Sequence, residues 1–131
     1  MKRFSRVLSR VLFGLVVLCS SALAGAGEVP FQQKLFDDLR AAGKPVAVHV
    51  YAVWCGICKV QSRLVSPMLE DPRFKNLILL KADFDKERAL LEALHVADRS
   101  TFVVFKGKEE VGRSTGDMDK ASIAALLRKA L

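Results

Sequence analysis

Three continuous runs of apolar and β-branched residues constrain the fold of this chain most strongly. They occupy residues 45–53, 77–84 and 101–105, and such runs are typical of strands that are buried on both faces of a sheet. Segments in which apolar residues recur at helical spacing separate these runs. Because strands that alternate with helices pair in parallel through right-handed crossovers, the sequence predicts an α/β fold.

Two helices and a hairpin complete the predicted architecture. The first helix is expected over residues 28–39, where Pro30 suits the first turn and apolar residues recur at helical spacing. Residues 106–108 are predicted to form a tight hairpin into a short antiparallel edge strand, and Asp117 or Asp119 to cap the last helix. The predicted order α-β-α-β-α-β-β-α corresponds to a three-layer α/β/α sandwich with a mixed central sheet.

The N-terminal segment has the organisation of a secretory signal peptide. An uncharged stretch over residues 11–27 follows a short basic region, and residues 22–24 form a small-x-small cleavage site. The sequence therefore predicts a signal peptide over residues 1–24 and one domain over residues 25–131, located in the periplasm or otherwise exported. The basic region contains Lys2, Arg3, Arg6 and Arg10.

Three other interpretations of this segment are weaker. A retained membrane anchor is disfavoured because the apolar part is shorter than the ~20 residues of a membrane span. A lipoprotein signal would carry a small residue where Leu18 precedes Cys19. A mitochondrial presequence would be amphipathic, whereas residues 11–18 are almost continuously apolar.

Removal of the leader changes the charge balance of the chain. The whole chain carries a formal net charge of +7, and loss of its four basic leader residues leaves about +3. No basic run with interleaved aromatic residues remains. We therefore expect no nucleic-acid partner.

Cys55 and Cys58 are the two cysteines of the predicted mature chain, and they follow a buried strand at the start of a helix. The unpaired N–H groups at a helix start stabilise a thiolate, which makes Cys55 the expected nucleophile at an exposed position. Cys58 lies one turn further along the same face and can attack a mixed disulfide formed at Cys55. Lys59 and Arg63 add positive charge nearby.

Two alternatives to redox chemistry are weaker for this pair. A zinc or iron–sulfur site normally needs four protein ligands, and His49 and His95 do not follow a zinc-finger spacing, so no metal site is expected. A purely structural disulfide between Cys55 and Cys58 would close too small a loop to stabilise the fold much. Redox chemistry is the favoured interpretation.

The stretch "WCGIC-K" resembles the thioredoxin signature Trp-Cys-Gly-Pro-Cys-Lys. The likeness extends to the preceding strand, to "LLKADFD" and to "TFVVFKGKEEVGRSTG", and so covers nearly all of the predicted mature chain. The longer helix after the motif is similar to that of periplasmic thioredoxin-like domains of transmembrane thiol:disulfide interchange proteins.

This resemblance implies an exported thiol:disulfide oxidoreductase. The chain is expected to be a monomer without a bound cofactor, to reduce disulfides of protein partners, and to receive electrons from a membrane thiol carrier, since the periplasm is kept oxidising. Two rival interpretations stay open at this point. One is a disulfide oxidase or isomerase, and the other is a metal-carrying or partner-docking module on the same fold.

Three positions depart from the family's pattern. Ile57 replaces the motif proline. His49 stands where thioredoxins carry a buried aspartate that relays protons to the second cysteine, and we expect it either to take the proton of Cys58 or to be a packing residue. Lys81 matches a lysine beside that aspartate and is expected to favour the neutral imidazole. Ser100 occupies the place of the family's cis-proline.

The resemblance also implies which residues contact the partner. Because a cis bond before a non-proline residue costs ~2.5–4 kcal/mol, we expect Arg99–Ser100 to be trans and the docking groove to differ from that of thioredoxin. The positive charge of Arg99 is expected to favour the thiolate of Cys55. The expected partner-binding residues are Trp54, Gly56, Ile57, Arg99 and Ser100.

Overall fold

The computed structural model describes residues 27–131, so the predicted leader and its cleavage site lie outside the described residues. None of the helices in this part of the chain is both long and apolar enough to cross a membrane. The strands are β1 (Glu28–Pro30), β2 (Pro45–Tyr51), β3 (Ile78–Asp83), β4 (Thr101–Lys106) and β5 (Glu109–Thr115). The helices are α1 (Gln33–Ala41), α2 (Gly56–Glu70), α3 (Arg88–Ala93) and α4 (Lys120–Arg128), with a short 3-10 helix at Pro72–Phe74.

The five strands form one mixed sheet in the order β1-β3-β2-β4-β5. Strands β1, β3 and β2 run parallel, whereas β4 is antiparallel to both β2 and β5. Apolar side chains of α1 and α3 pack on one face of the sheet, and those of α2 and α4 pack on the other. The predicted three-layer sandwich with a mixed sheet is confirmed.

The prediction of a helix over residues 28–39 is wrong in its first part. Residues Glu28–Pro30 instead form β1, which pairs with the edge of β3, and the helix begins at Gln33. Pairing gives the open edge of β3 a partner, and the N–H of Phe31 donates to the carbonyl of Lys81 at 2.9 Å. Proline is compatible with this edge position because a strand at the edge of a sheet leaves half of its N–H groups unpaired.

Helix α2 continues through Pro67 to Glu70, so the proline does not end the helix. The segment after α2 contains the 3-10 helix, which Asp71 caps by accepting from the N–H of Arg73. Phe74 in this turn is buried in the core between the sheet and α2 and α4. The turn thus returns the chain to β3 without exposing that side of the core.

The register of β2 with β4 brings two distant segments to one edge of the sheet. Val50, near the end of β2, is opposite Thr101, the first residue of β4. Because the two strands are antiparallel, the loop that follows β2 and the loop that precedes β4 lie side by side. Cys55 belongs to the first loop and Ser100 to the second.

Candidate active site

Cys55 and Cys58 are joined in a disulfide at the start of α2, with their Cα atoms 5.3 Å apart. Cys55 is the N-cap residue of this helix, in an extended conformation, and its Sγ accepts from the N–H of Cys58 at 3.1 Å. The sulfur therefore occupies the position in which a side-chain oxygen normally caps a helix. A thiolate formed there would keep this N–H donor and the positive end of the helix dipole.

The two cysteines do not differ in exposure in this disulfide form. Cys55 is 4% exposed and Cys58 is 3% exposed, so the expectation that Cys55 is the accessible one is not met. Their difference lies in their surroundings, because an open cavity of about 340 Å³ reaches Cys58 but not Cys55. Lys59, Arg63 and Lys81 are among the residues that line this cavity.

Ser100 lies against the disulfide, with its Oγ 3.6 Å from the Sγ of Cys55. The described residues contain no cis peptide bond, so the prediction that Arg99–Ser100 is trans is confirmed. The φ of Ser100 is 56°, in the left-handed region that residues other than glycine rarely adopt. The ring of proline holds φ at about −65°, so proline does not fit this backbone. The segment therefore differs from a cis-proline loop in φ as well as in the peptide torsion ω.

His49 is fully buried at the centre of the sheet, on the face covered by α2 and α4. Its ring stacks on that of Phe102, its register partner in β4, with 4.3 Å between centroids. Nε2 lies 2.9 Å from Oε1 of Gln61, and Nδ1 is buried without a partner. Burial lowers the pKa of His49 to about 4; the contact with Gln61 opposes this shift and the charge of Lys81 adds to it. The imidazole is therefore neutral near pH 7.

Lys81 is opposite His49 in the neighbouring strand β3. Its Nζ lies 3.3 Å from Oε2 of Glu28 and 4.7 Å from the centre of the Tyr51 ring. The ammonium group is thus held near His49 without contacting the imidazole. The charge of Lys81 lowers the pKa of His49, which is the direction that favours the neutral imidazole.

Gln61 is a site residue that the sequence did not reveal. It lies on α2, six residues after Cys55, and is fully buried. Its Nε2 donates to the carbonyls of Ser100 at 3.1 Å and Asp117 at 2.9 Å, while its Oε1 contacts His49. The available signal was its position three residues after Cys58, on the buried face of the helix, where a polar side chain needs partners.

The disulfide is bordered by exposed apolar side chains. Trp54 is 56% exposed and is held between two charged groups: its Nε1 donates to Asp85 at 2.9 Å, and the guanidinium of Arg99 lies 4.8 Å from its ring centroid. Gly56 is exposed and has open space where a side chain would stand. The other large exposed apolar residues around this edge are Val53, Ile57 and Met118.

The described residues contain no group of three or more histidine, cysteine, aspartate or glutamate side chains arranged to hold a metal ion. Of the predicted site residues, the structure brings Cys55, Cys58 and Ser100 into direct contact, and places His49 one side chain away through Gln61. This arrangement can exchange a disulfide with a thiol, since it combines a sulfur at a helix start with a buried neutral imidazole.

The chain is similar to known proteins that contain a thioredoxin domain. The Thioredoxin family model matches residues 28–129. A thioredoxin of Chlamydia trachomatis is 34% identical over 99 residues, which cover 74% of this chain and 92% of that protein. The bifunctional thioredoxin reductase/thioredoxin of Mycobacterium leprae is 32% identical over 91 residues, which cover 67% of this chain but 19% of that protein.

Solved structures agree with this result. The crystal structure of Trxlp from Edwardsiella tarda superimposes with a TM-score of 0.75 at 33% identity, and the match covers 77% of this chain and 98% of that chain. Schistosoma mansoni thioredoxin gives a TM-score of 0.67 at 25% identity, covering 79% and 95%. With the disulfide at the start of α2, these matches show that the chain belongs to the thioredoxin family of thiol:disulfide oxidoreductases.

Proposed function

We propose that this protein is an exported reductase of disulfides in protein partners. The observation that carries the proposal is the Cys55–Cys58 disulfide at the N-terminus of α2, with Cys55 as the capping residue. The exposed apolar side chains beside it, including Trp54 and Ile57, offer a surface on which an extended partner chain can dock.

In the reduced protein, the thiolate of Cys55 attacks a partner disulfide. One partner sulfur leaves, and the other stays bound to Cys55 as a mixed disulfide. Cys58 then attacks Cys55, the bond between Cys55 and the partner breaks, and the partner leaves as a thiol. A membrane thiol carrier regenerates the dithiol, because the exported compartment is oxidising.

Single substitutions of the two cysteines test this order. Cys55→Ser is expected to abolish disulfide reduction, because it removes the sulfur that the helix N-terminus activates. Cys58→Ser is expected to accumulate mixed disulfides with partners, because no sulfur remains to release them. Mass spectrometry after rapid acid quenching measures both outcomes. Turnover by Cys58→Ser at the unaltered rate, without added thiol, would contradict the two-cysteine mechanism.

Export is a further part of the proposal, supported by the predicted leader over residues 1–24, and a monomeric state is proposed with it. Expression of the full chain in a bacterial host should yield a periplasmic monomer whose N-terminus is Gly25. N-terminal sequencing and sedimentation measure these properties. A cytoplasmic product with an intact N-terminus would contradict export.

A further inference from the structure

The amide of Gln61 can be oriented in only one way. Its nitrogen lies 3.1 Å from the carbonyl oxygen of Ser100 and 2.9 Å from that of Asp117. Carbonyl oxygens only accept hydrogen bonds, so the NH₂ group must face them and Oε1 must face His49. The reverse orientation would place three acceptors together in a buried site.

This orientation determines the tautomer of His49. Oε1 of Gln61 is an acceptor, so Nε2 of His49 at 2.9 Å must carry a proton. A neutral imidazole carries only one proton, and therefore Nδ1 has a free lone pair. Nδ1 is buried and has no hydrogen-bond partner among the described residues. A buried acceptor without a donor is unusual, and it suggests a site whose donor is present only in another state of the protein.

Reduction of the disulfide supplies such a donor. Cys58 is buried three residues before Gln61 on the same face of α2, and it packs against Ala52, the residue that follows the strand carrying His49. In the disulfide form Cys58 has no proton to give, whereas in the mixed disulfide with a partner it carries a thiol. Nδ1 of His49, which lacks a donor, and the thiol that forms at Cys58 thus belong to the same region of the core.

We propose that Gln61 is a positioning residue, which holds the proton of His49 on Nε2 and thereby reserves Nδ1 to accept the thiol proton of Cys58. The inference rests on the proposed function, since it concerns the step that releases the partner. Cys58 transfers its proton to Nδ1, and its sulfur attacks Cys55. The Cys55–partner bond breaks, and the partner thiolate takes a proton from water. His49 then returns its proton to solvent, so atoms and electrons balance.

Among the charged groups that residues 27–131 place around His49, only a thiolate formed at Cys58 would favour a transient imidazolium. Lys81 on β3 opposes it, β4 contributes the uncharged ring of Phe102, and the carboxylate of Asp117 is engaged by Ser122. Burial disfavours an isolated imidazolium. A proton taken from Cys58, however, leaves a thiolate beside it, and the attraction of the two charges offsets much of that penalty.

Two measurements test this role. In the oxidised, ¹⁵N-labelled protein, NMR should find the His49 proton on Nε2, with exposed His95 as an internal reference. In Gln61→Leu neither ring nitrogen has an acceptor, so the proton should no longer be confined to Nε2 and should be shared between the two nitrogens. In Gln61→Glu it should remain on Nε2, because a buried, protonated carboxyl group still accepts there with one oxygen and donates its O–H to one of the two carbonyls. A wild-type protein with its proton on Nδ1 would overturn the proposal without any variant.

In the second measurement, the reduced protein is mixed with an aromatic disulfide and the release of coloured thiol is recorded. Attack by Cys55 releases one thiol in the first phase, and attack by Cys58 on the resulting mixed disulfide releases another in the second phase. Gln61→Leu should slow the second phase about tenfold or more relative to the first phase of the same variant, with partial recovery in Gln61→Glu. Val65→Ala, one turn further along α2 in the core, is the matched control for loss of packing.

The outcomes distinguish failure of the proposed role of Gln61 from failure of the proposed reductase function. If the second phase of Gln61→Leu equals that of Val65→Ala, the proton of Cys58 leaves through the cavity lined by Lys81, and the role of Gln61 is refuted. If the wild-type protein shows no second phase at all, the proposed reductase function fails and the role as proton acceptor fails with it.

Discussion

At the residue scale, His49 shows how one substitution changes the chemistry of a buried position. An ionised aspartate there would only accept hydrogen bonds, through two equivalent oxygens, whereas a neutral imidazole has one donor and one acceptor nitrogen, which the tautomer assigns. Gln61 supplies the partner that an imidazole needs. The two residues form one unit that connects β2 to the segment before β4 through the carbonyl of Ser100.

The buried imidazole should make stability depend on pH. The pKa of His49 is about 4 in the folded protein and 6.5 in the unfolded chain, so only the unfolded chain takes up this proton between those values. The stabilisation is fully present above pH 6.5 and is lost as pH falls towards 4. At pH 4 the loss amounts to about 3 kcal/mol.

Urea unfolding of the wild-type protein and of His49→Asn at pH 7.5, 5.5 and 4 measures this dependence. Carboxylates also bind protons in this pH range, and their contribution is common to both proteins. The wild-type protein should therefore lose about 3 kcal/mol more than the variant between the extremes. Parallel pH profiles for the two proteins would show that His49 does not titrate differently on folding.

At the element scale, the segment before α4 links a helix start to the site. Asp119 is the N-cap of α4 and accepts from the N–H of Ser122 at 2.7 Å. Two residues earlier, the carbonyl of Asp117 accepts from Gln61. The sequence named both aspartates as possible caps, and the structure assigns the backbone cap to Asp119.

Removing this cap should weaken the fold by a small, defined amount. Asp119→Ala is expected to lower the free energy of unfolding by about 1 kcal/mol, because one N–H at the start of α4 loses its acceptor. Asp119→Ser retains a capping oxygen and should stay within a few tenths of a kcal/mol of the wild-type protein. Urea unfolding at pH 7 measures both changes. Equal losses in the two variants would assign the effect to charge rather than to the cap.

The elements that the sequence predicted are those with a local signal. The three central strands carry continuous apolar runs, and the cysteine pair lies at a strand–turn–helix junction. Strand Glu28–Pro30 has no such signal, because three residues become a strand only when the edge of β3 is present to pair with them. Gln61 was missed for the same reason, since its partners Ser100 and Asp117 come from distant segments.

At the scale of the whole molecule, the sheet and helices place the disulfide at a site where the N-terminus of α2 is the main group that stabilises a thiolate of Cys55. Among residues 27–131, the Sγ of Cys55 has two hydrogen-bonding neighbours, the N–H of Cys58 and the hydroxyl of Ser100. The nearby guanidinium of Arg99 stacks on Trp54 and pairs with Asp98 instead. No charged side chain in the described part of the chain hydrogen-bonds to this sulfur.

This environment predicts a reducing couple. Strong oxidants owe their high potentials to a reduced form that is strongly stabilised, and a single N–H donor with one hydroxyl stabilises the thiolate of Cys55 only moderately. We therefore expect a reduction potential nearer to about −270 mV, as in thioredoxin, than to about −120 mV, as in a strong oxidant. Equilibration with glutathione buffers, followed by alkylation and mass spectrometry, measures it. Cys58→Ser serves as the control that forms no internal disulfide. A value near −120 mV would instead assign the protein to disulfide formation.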